Sequence, residues 1–129
     1  MKKATSLILI VLLALGWTAC AKYSPHYKAI AFVHSNEKDS AYMEFYRFEG
    51  TMTFTLRGGS PCALHCTAKL ETGSATVYYD CGQGKTALLS IGAGDAPENT
   101  VALSSGGTVY VIVETNGQCE NGAFYFDLS

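Results

Sequence analysis

Five cysteines carry the most reactive side chains of this 129-residue sequence, and their number is odd. Cys20 follows an apolar N-terminal run and stands apart from the others. If Cys20 is modified separately, an even set of thiols remains, which in an oxidising compartment predicts two disulfide bonds. This set consists of Cys62, Cys66, Cys81 and Cys119.

A hairpin argument favours the pairs Cys66–Cys81 and Cys62–Cys119. A two-residue turn at Gly73-Ser74 would put Cys66 directly opposite Cys81 on adjacent antiparallel strands, with Cα atoms about 5.5 Å apart. The second bond would then join the loop before Cys62 to the loop that holds Cys119. The main alternative is Cys62–Cys66 with Cys81–Cys119.

Metal ions could be held at two places, and neither spacing is strong. Zinc sites usually show paired C-x-x-C spacing, which is missing here. The candidate zinc ligands are Cys62 and Cys66 with His65, Cys81 or Cys119. In residues 92–99, the oxygens of Asp95, Glu98 and Asn99 could hold calcium, although a solvated turn with local backbone hydrogen bonds explains them as well. We therefore predict no metal and no cofactor.

Several activities are excluded by missing patterns. Residues 82–86 look like the end of a phosphate-binding loop, but Tyr79 occupies the position of its first glycine and a strand follows, so we expect no nucleotide. Nine Lys and Arg against 11 Asp and Glu give no electrostatic reason for nucleic acid. Neither a G-x-S-x-G elbow nor an H-E-x-x-H pattern occurs, so we expect a protein that is not an enzyme.

Aromatic residues are concentrated in residues 42–48. In a strand, Tyr42, Tyr46 and Phe48 share one face, while Met43 and Phe45 share the other. If one face builds the core, the other exposes rings that could stack on a sugar or contact a partner protein. The alternative is that both faces of a twisted strand are buried in the core.

The N-terminus has the layout of an export signal. Lys2 and Lys3 precede an unbroken apolar run over residues 7–15, which is too short to span a bilayer. Small residues, Thr18 and Ala19, follow this run. We therefore predict a signal peptide over residues 1–19.

Residues 17–20, Trp-Thr-Ala-Cys, resemble the lipobox of bacterial lipoproteins, although that pattern usually has an aliphatic residue where Trp17 stands. The resemblance implies that Cys20 receives a diacylglyceryl group and becomes the first residue of the mature chain. The protein would then be exported and anchored at the outer face of the plasma membrane or in the outer membrane, depending on cell type. Simple secretion, with cleavage after Ala19 or Ala21, is the alternative.

Residues 20–28 are predicted to carry the lipid and to form a short tether, which leaves residues 29–129 as the folded domain. Residues 21–28 reach at most about 26 Å when fully extended, so the domain would stay close to the membrane. Two or three acyl chains are enough for a stable anchor. Without residues 1–19, 7 Lys and Arg face 11 Asp and Glu, and the net charge is −4.

Alternating apolar and polar residues predict strands through nearly all of the domain. The predicted strands cover residues 29–34, 42–56, 64–70, 75–81, 86–91, 100–103, 108–115 and 123–128. No window gives a convincing amphipathic helix. Seven or eight short strands in one domain predict an all-β fold, an antiparallel β-sandwich of jelly-roll-like type.

Glycine-led strands carry a family resemblance. They are Phe-Glu-Gly-Thr at 48–51, Gly-Ser-Ala-Thr-Val at 73–77, Gly-Thr-Val-Tyr-Val at 107–111 and Gly-Ala-Phe-Tyr-Phe at 122–126. The order is similar to small β-sandwich lipoproteins of bacterial cell surfaces, and to the sandwich modules of secreted peptidases and carbohydrate-active enzymes. The resemblance implies a fold, and a fold does not fix a function.

An export-and-anchor signal joined to a domain without a catalytic constellation predicts a non-catalytic binding or structural module. Its partners would be the membrane, through the lipid anchor, and an unknown protein or glycan ligand. One alternative is a calcium-binding or enzyme-associated domain. Another is a disulfide-braced protein inhibitor.

Overall fold

The computed structural model describes residues 23–59, 62–103 and 107–129. The predictions for the signal peptide and Cys20 lie outside these described residues. Eight strands occupy the described ranges. They are β1 (His26–Asn36), β2 (Ser40–Gly58), β3 (Cys62–Thr72), β4 (Ala75–Asp80), β5 (Thr86–Ile91), β6 (Glu98–Leu103), β7 (Gly107–Thr115) and β8 (Cys119–Leu128). Over the same ranges, no helix has the length and apolar character that crossing a membrane requires.

The strands pair antiparallel in the order β5-β4-β7-β2-β8-β3-β6, and β1 is added beside β2. The 19-residue β2 serves both halves of the fold: residues 40–48 pair with β8 and residues 51–58 pair with β7. Gly50 lies between these segments with φ 131°, and a Cβ there would meet the His26 carbonyl oxygen at 2.3 Å. Only glycine fits this position.

We call β1, residues 40–48 of β2, β8, β3 and β6 the front half, and residues 51–58 of β2, β7, β4 and β5 the back half. The two halves enclose one core, in which the rings of Phe54 and Phe126 lie 5.7 Å apart. Their far edges also meet, because Asn99 Nδ2 of β6 donates to the Leu88 carbonyl of β5 at 2.7 Å. The predicted antiparallel β-sandwich is confirmed.

The core follows the predicted alternation along most strands. Leu64, Cys66, Ala68 and Leu70 of β3 point inward and are buried. The largest fully buried side chains include Phe48, Phe54, Phe124 and Met43. Burial of side chains of this size contributes about 1.5–3 kcal/mol each. β1 begins at His26, so the last three residues of the predicted tether belong to the sheet.

The predicted hairpin between β3 and β4 is wrong. β3 pairs with β6 and β8, whereas β4 pairs with β5 and β7. Gly73, with φ 101°, crosses between the two halves and packs on Cys119, whose Sγ would lie 2.7 Å from an added Cβ. Cys66 therefore lies opposite Asn99 and Phe126 instead of Cys81.

All four described thiols are free, which corrects the predicted disulfides. Cys62 and Cys119 lie near opposite ends of the β3–β8 ladder, since Leu64 faces Leu128 and Thr72 faces Glu120. At about 3.3 Å per residue this separates their Cα atoms by roughly 35 Å, whereas a disulfide needs less than about 7 Å. The pair Cys62–Cys119 cannot form in this register.

The alternative pairs are excluded by the same geometry. Cys62 and Cys66 are four residues apart along one strand, about 13 Å. Cys119 Sγ donates to the Ser74 carbonyl at the start of β4, at 3.3 Å, while Cys81 follows the end of that strand. Six intervening strand residues span about 20 Å. The thiols serve the fold as packed side chains.

Candidate functional site

The outward side chains of β2, β8 and β3 form one continuous surface on the front half, which we call the tyrosine face. Alternation brings them to the same side of the sheet, because their neighbours in each strand point into the core. The tyrosine face consists of Tyr42, Glu44, Tyr46, Thr67, Lys69, Glu71, Asn121 and Tyr125.

Two stacked tyrosines lie at its centre. Tyr42 and Tyr125 are Cα partners in the β2–β8 ladder, and their ring centroids lie 6.1 Å apart at an interplanar angle of 29°. They remain 37% and 42% exposed. Exposed aromatic rings held in register by a sheet form a rigid apolar platform, since little side-chain freedom is left to lose on binding.

Glu44 holds the Tyr125 hydroxyl of this platform in place by a hydrogen bond. Tyr125 Oη donates a hydrogen bond to Glu44 Oε1. This bond raises the pKa of Tyr125 above 10.0, because it stabilises the protonated phenol; desolvation and the negative charge of Glu44 act in the same direction. The phenol therefore stays a hydrogen-bond donor at neutral pH, and a free carboxylate oxygen of Glu44 can accept from a ligand.

A depression of about 600 Å³ lies beside the platform. Its floor includes Ala123, which is the Cα partner of both Glu44 and Lys69. A methyl group between two long polar side chains leaves space above the sheet. Val33 and Asp95 line the sides of the same depression.

The loop between β5 and β6 forms one wall of the depression and is held to β3. Gly94 N donates to the Leu70 carbonyl at 2.8 Å, and Ala68 N donates to the Pro97 carbonyl at 3.1 Å. Asp95 Oδ2 accepts a hydrogen bond from Gly92 N at 3.0 Å. These bonds extend the pairing with β3 to residues that precede the start of β6, and they fix the wall in place.

Polar pairs mark the end of the tyrosine face next to Tyr46. Asn121 Nδ2 donates to Glu71 Oε2 at 3.1 Å, and Asn121 has φ 50°. The Arg47 guanidinium carbon lies 5.3 Å from the Tyr46 ring centroid, within cation–π range. Tyr46 is 44% exposed, so it extends the aromatic surface predicted from residues 42–48.

Phe48 does not belong to this surface, which corrects the prediction that it shares a face with Tyr42 and Tyr46. Its side chain is fully buried. The inward side of β2 changes from odd to even positions between Phe45 and Phe48. Ala31 and Asn121, the residues of β1 and β8 level with Tyr46, are the two described non-glycine residues with positive φ. The ladder is distorted there, and the alternation slips by one residue.

A hydroxyl cluster lies at the opposite end of the front half. His65 Nδ1 is 2.9 Å from Thr100 Oγ1, and His65 Nε2 is 2.7 Å from Ser129 Oγ. These groups could exchange a proton, but they lie on an exposed strand with both imidazole nitrogens engaged. The cluster can donate or accept hydrogen bonds at the edge of the tyrosine face.

The candidate calcium ligands Asp95, Glu98 and Asn99 do not converge. Glu98 and Asn99 are consecutive residues of β6 and point to opposite sides of the sheet. The Asn99 side chain bonds the Leu88 carbonyl and the Thr100 amide, at 2.7 and 2.9 Å, and Asp95 bonds its own loop. In the ranges that the structure describes, no three His, Cys, Asp or Glu side chains are grouped to hold a metal ion.

Sequence reasoning missed Tyr125, although a signal for it existed. In an alternating strand, Phe124, Phe126 and Leu128 share the inward side, which leaves Tyr125 on the outward side. What the sequence could not show is that β8 lies next to β2, which brings Tyr125 beside Tyr42. The stacking of Tyr42 on Tyr125 depends on the order of the strands in the sheet and cannot be read from β2 or β8 alone.

Comparisons with known proteins support the fold. No protein-family model matches the chain, and neither does any curated protein sequence. A periplasmic inhibitor of g-type lysozyme, PliG from Aeromonas hydrophila, is similar with a TM-score of 0.51 and 15% identity, covering 71% of this chain and 88% of that one. The carbohydrate-binding module TmCBM61, solved with β-1,4-galactotriose, has a TM-score of 0.51 and 12% identity, with coverage of 81% and 87%.

Proposed function

We propose that this chain is a non-catalytic, lipid-anchored binding module whose tyrosine face binds a glycan. The observation that carries the proposal is the exposed Tyr42–Tyr125 stack beside a depression whose lining includes Glu44, Lys69 and Asn121. The apolar C–H faces of a sugar ring pack on aromatic rings, and its hydroxyls need hydrogen-bond partners at the edge.

The side chains around the stack provide both kinds of partner. Glu44 accepts hydrogen bonds, Lys69 donates them, and Asn121 can do either. All three side chains line the depression beside the stack, so it has room for further sugars next to the ring that stacks. A sandwich of similar fold, TmCBM61, has been solved with the oligosaccharide β-1,4-galactotriose.

Anchoring is the second part of the proposal and rests on the N-terminal sequence. A lipidated Cys20 would hold the module at the outer face of the plasma membrane or in the outer membrane. Changing Cys20→Ala, or treating cells with globomycin, should move the protein from the membrane to the soluble fraction. Unchanged fractionation would contradict the anchor without affecting the binding surface.

The glycan hypothesis is tested by a glycan array followed by calorimetric titration of the best ligand. Tyr42→Ala and Tyr125→Ala should each weaken binding by a few-fold to about tenfold, since stacking on one ring is worth about 0.5–1.5 kcal/mol. Tyr78→Ala is the matched control, because Tyr78 is a half-buried tyrosine outside the tyrosine face. Equal loss in all three variants would contradict the proposed surface.

A protein ligand is the second candidate, favoured by the apolar residues beside the depression. Val33 and Ile30 of β1 are 56% and 53% exposed, and Val33 lines the depression. PliG, a sandwich of similar fold, is an inhibitor of g-type lysozyme. Inhibition of a g-type lysozyme that is lost in Val33→Asp, without any glycan binding, would favour this candidate.

A further inference from the structure

The first described residue, Tyr23, contacts the body of the domain instead of extending into solvent. Its hydroxyl donates to Asp80 Oδ2 at 2.8 Å. Its ring centroid lies 5.5 Å from that of Tyr110, with the planes tilted by 59°. The chain just after the predicted lipid attachment is therefore held on β4 and β7.

The fold holds the Asp80 carboxylate in position to accept this hydrogen bond. It is 1% exposed and is the one buried charged side chain in the described part of the chain. Its Oδ1 accepts hydrogen bonds from Gly82 N and Gly84 N, at 2.8 and 3.2 Å. Because the turn fixes one carboxylate oxygen, the other is aimed at Tyr23. Removing a hydrogen-bond donor costs more folding free energy when the carboxylate is buried than when it is exposed.

This contact lies on the side of the sandwich away from the tyrosine face. Asp80 and Tyr110 are Cα partners, while Val109 and Val111 on either side of Tyr110 point into the core. Alternation therefore places Tyr110 and Asp80 on the outer surface of the back half. The shared core separates that surface from the stack of Tyr42 and Tyr125.

We propose that the Tyr23–Asp80 contact orients the anchored domain so that the tyrosine face points away from the bilayer. The inference rests on the proposed lipid anchor. Cys20 is three residues before Tyr23, which limits their separation to about 11 Å. The attachment point is thus confined to the back half. A free tether over residues 21–28 would reach about 26 Å and let the domain turn either face to the membrane.

Orientation can be measured with tryptophans placed on the two surfaces. Trp17 is the single tryptophan of the sequence and lies in the predicted signal, so the mature protein offers a dark background. Thr55→Trp lies on the back half opposite Tyr110, and Thr67→Trp lies on the front half opposite Tyr125. Both are exposed strand threonines, and each is put into the full lipidated protein on phosphatidylethanolamine–phosphatidylglycerol vesicles.

Energy transfer from each tryptophan to dansyl-labelled headgroups reports its distance from the bilayer. We expect transfer from Thr55→Trp to be at least twice that from Thr67→Trp, since about 10 Å of core separates the two sheets before side chains are counted. Adding Tyr23→Phe, which keeps the ring and removes the hydroxyl, should bring the two values together. Equal values with Tyr23 intact, or greater transfer from Thr67→Trp, would overturn the proposal.

Flotation of the same samples separates the two possible failures. If the protein does not float with the vesicles, the proposed lipid anchor is contradicted, and so is the orientation that depends on it. Protein that floats but shows no difference between the two tryptophans contradicts only the orientation. Tyr125→Phe is a matched control for Tyr23→Phe, since it removes a tyrosine–carboxylate hydrogen bond on the opposite surface and should leave the difference in transfer intact.

Discussion

The two outer surfaces of the sandwich each present a tyrosine hydrogen-bonded to a carboxylate, and they use it differently. On the front half, Tyr125 donates to Glu44 and both rings of the stack stay exposed. On the back half, Tyr23 donates to Asp80, which is buried. A tyrosine–carboxylate pair therefore does not by itself mark a ligand surface.

The difference lies in what covers each pair. The chain's own N-terminal segment and the turn after β4 close over Asp80, so that contact contributes to folding. In the described part of the chain, the Tyr42–Tyr125 stack keeps its exposure, and such a surface gains from burial only when another molecule arrives. The first pair should govern stability, and the second should govern binding.

The largest expected effect concerns Cys66 in the core that both surfaces share. Burial raises the pKa of the Cys66 thiol to about 12, from an ordinary 9.0. An acid that is weaker in the folded state releases its proton on unfolding, so stability falls as pH rises above about 9. The loss should be about 1 kcal/mol per pH unit, reaching a few kcal/mol by pH 12.

Denaturant titrations from pH 8 to 11, under reducing conditions, measure this loss. Cys66→Ala should lower stability at neutral pH and remove this part of the alkaline slope, since the titrating group is gone. Cys62→Ala retains the buried thiol and should keep the slope. If Cys66→Ala unfolds with the same alkaline slope as the wild type, the buried thiol is not its source.

Asp80→Ala tests the back surface directly. It leaves two turn amides and the Tyr23 hydroxyl without their acceptor. We expect a loss of about 2–4 kcal/mol in the free energy of unfolding. Glu44→Ala, the matched change on the front surface, should cost less than about 0.5 kcal/mol. Equal losses in thermal unfolding would remove the distinction between a folding contact and a binding contact.

Gly122→Ala tests the support beneath the tyrosine face. A Cβ at Gly122 would come within 2.4 Å of Phe45 Cζ. The buried Phe45 ring must shift, and such overpacking costs about 1–3 kcal/mol. Gly59→Ala is the control, because nothing lies within 4 Å of a Cβ there. The proposed glycan binding should weaken together with stability in Gly122→Ala alone.

Strand positions could be predicted from the sequence because each depends on local alternation. The inward set of β3 from Leu64 to Leu70 follows directly from its period of two. The pairing partners of β3 and β4 could not be predicted, because nearness in sequence suggested a hairpin between them, while the connection at Gly73 crosses between the halves. Pairing depends on contacts distant in sequence, which alternation does not contain.

The candidate site was predicted in part for the same reason. Tyr42 and Tyr46 follow the alternation, but Phe48 lies beyond a slip that the neighbouring strands impose through Ala31 and Asn121. Asp80 carries no local signal that sets it apart from other turn carboxylates. Its contact with Tyr23 joins residues 57 positions apart. Positions set by neighbouring strands stay hidden until the strand order is known.

The smallest effect we expect distinguishes the two tyrosine–carboxylate pairs by titration. Glu44 raises the pKa of Tyr125, chiefly through their hydrogen bond. Glu44→Gln should lower that pKa toward 10.0, because an amide neither carries charge nor accepts as strongly. Stability should change little, since the pair is exposed.

The titration can be followed by NMR of the Tyr125 ring carbons. Glu71→Gln is the matched control, since Glu71 lies on the same surface but bonds Asn121; the Tyr125 titration should not move. A shift in both variants would mean that the overall charge of the tyrosine face sets the pKa. A shift in Glu44→Gln alone identifies Glu44 as the group that keeps the Tyr125 hydroxyl protonated while its ring stays open to a ligand.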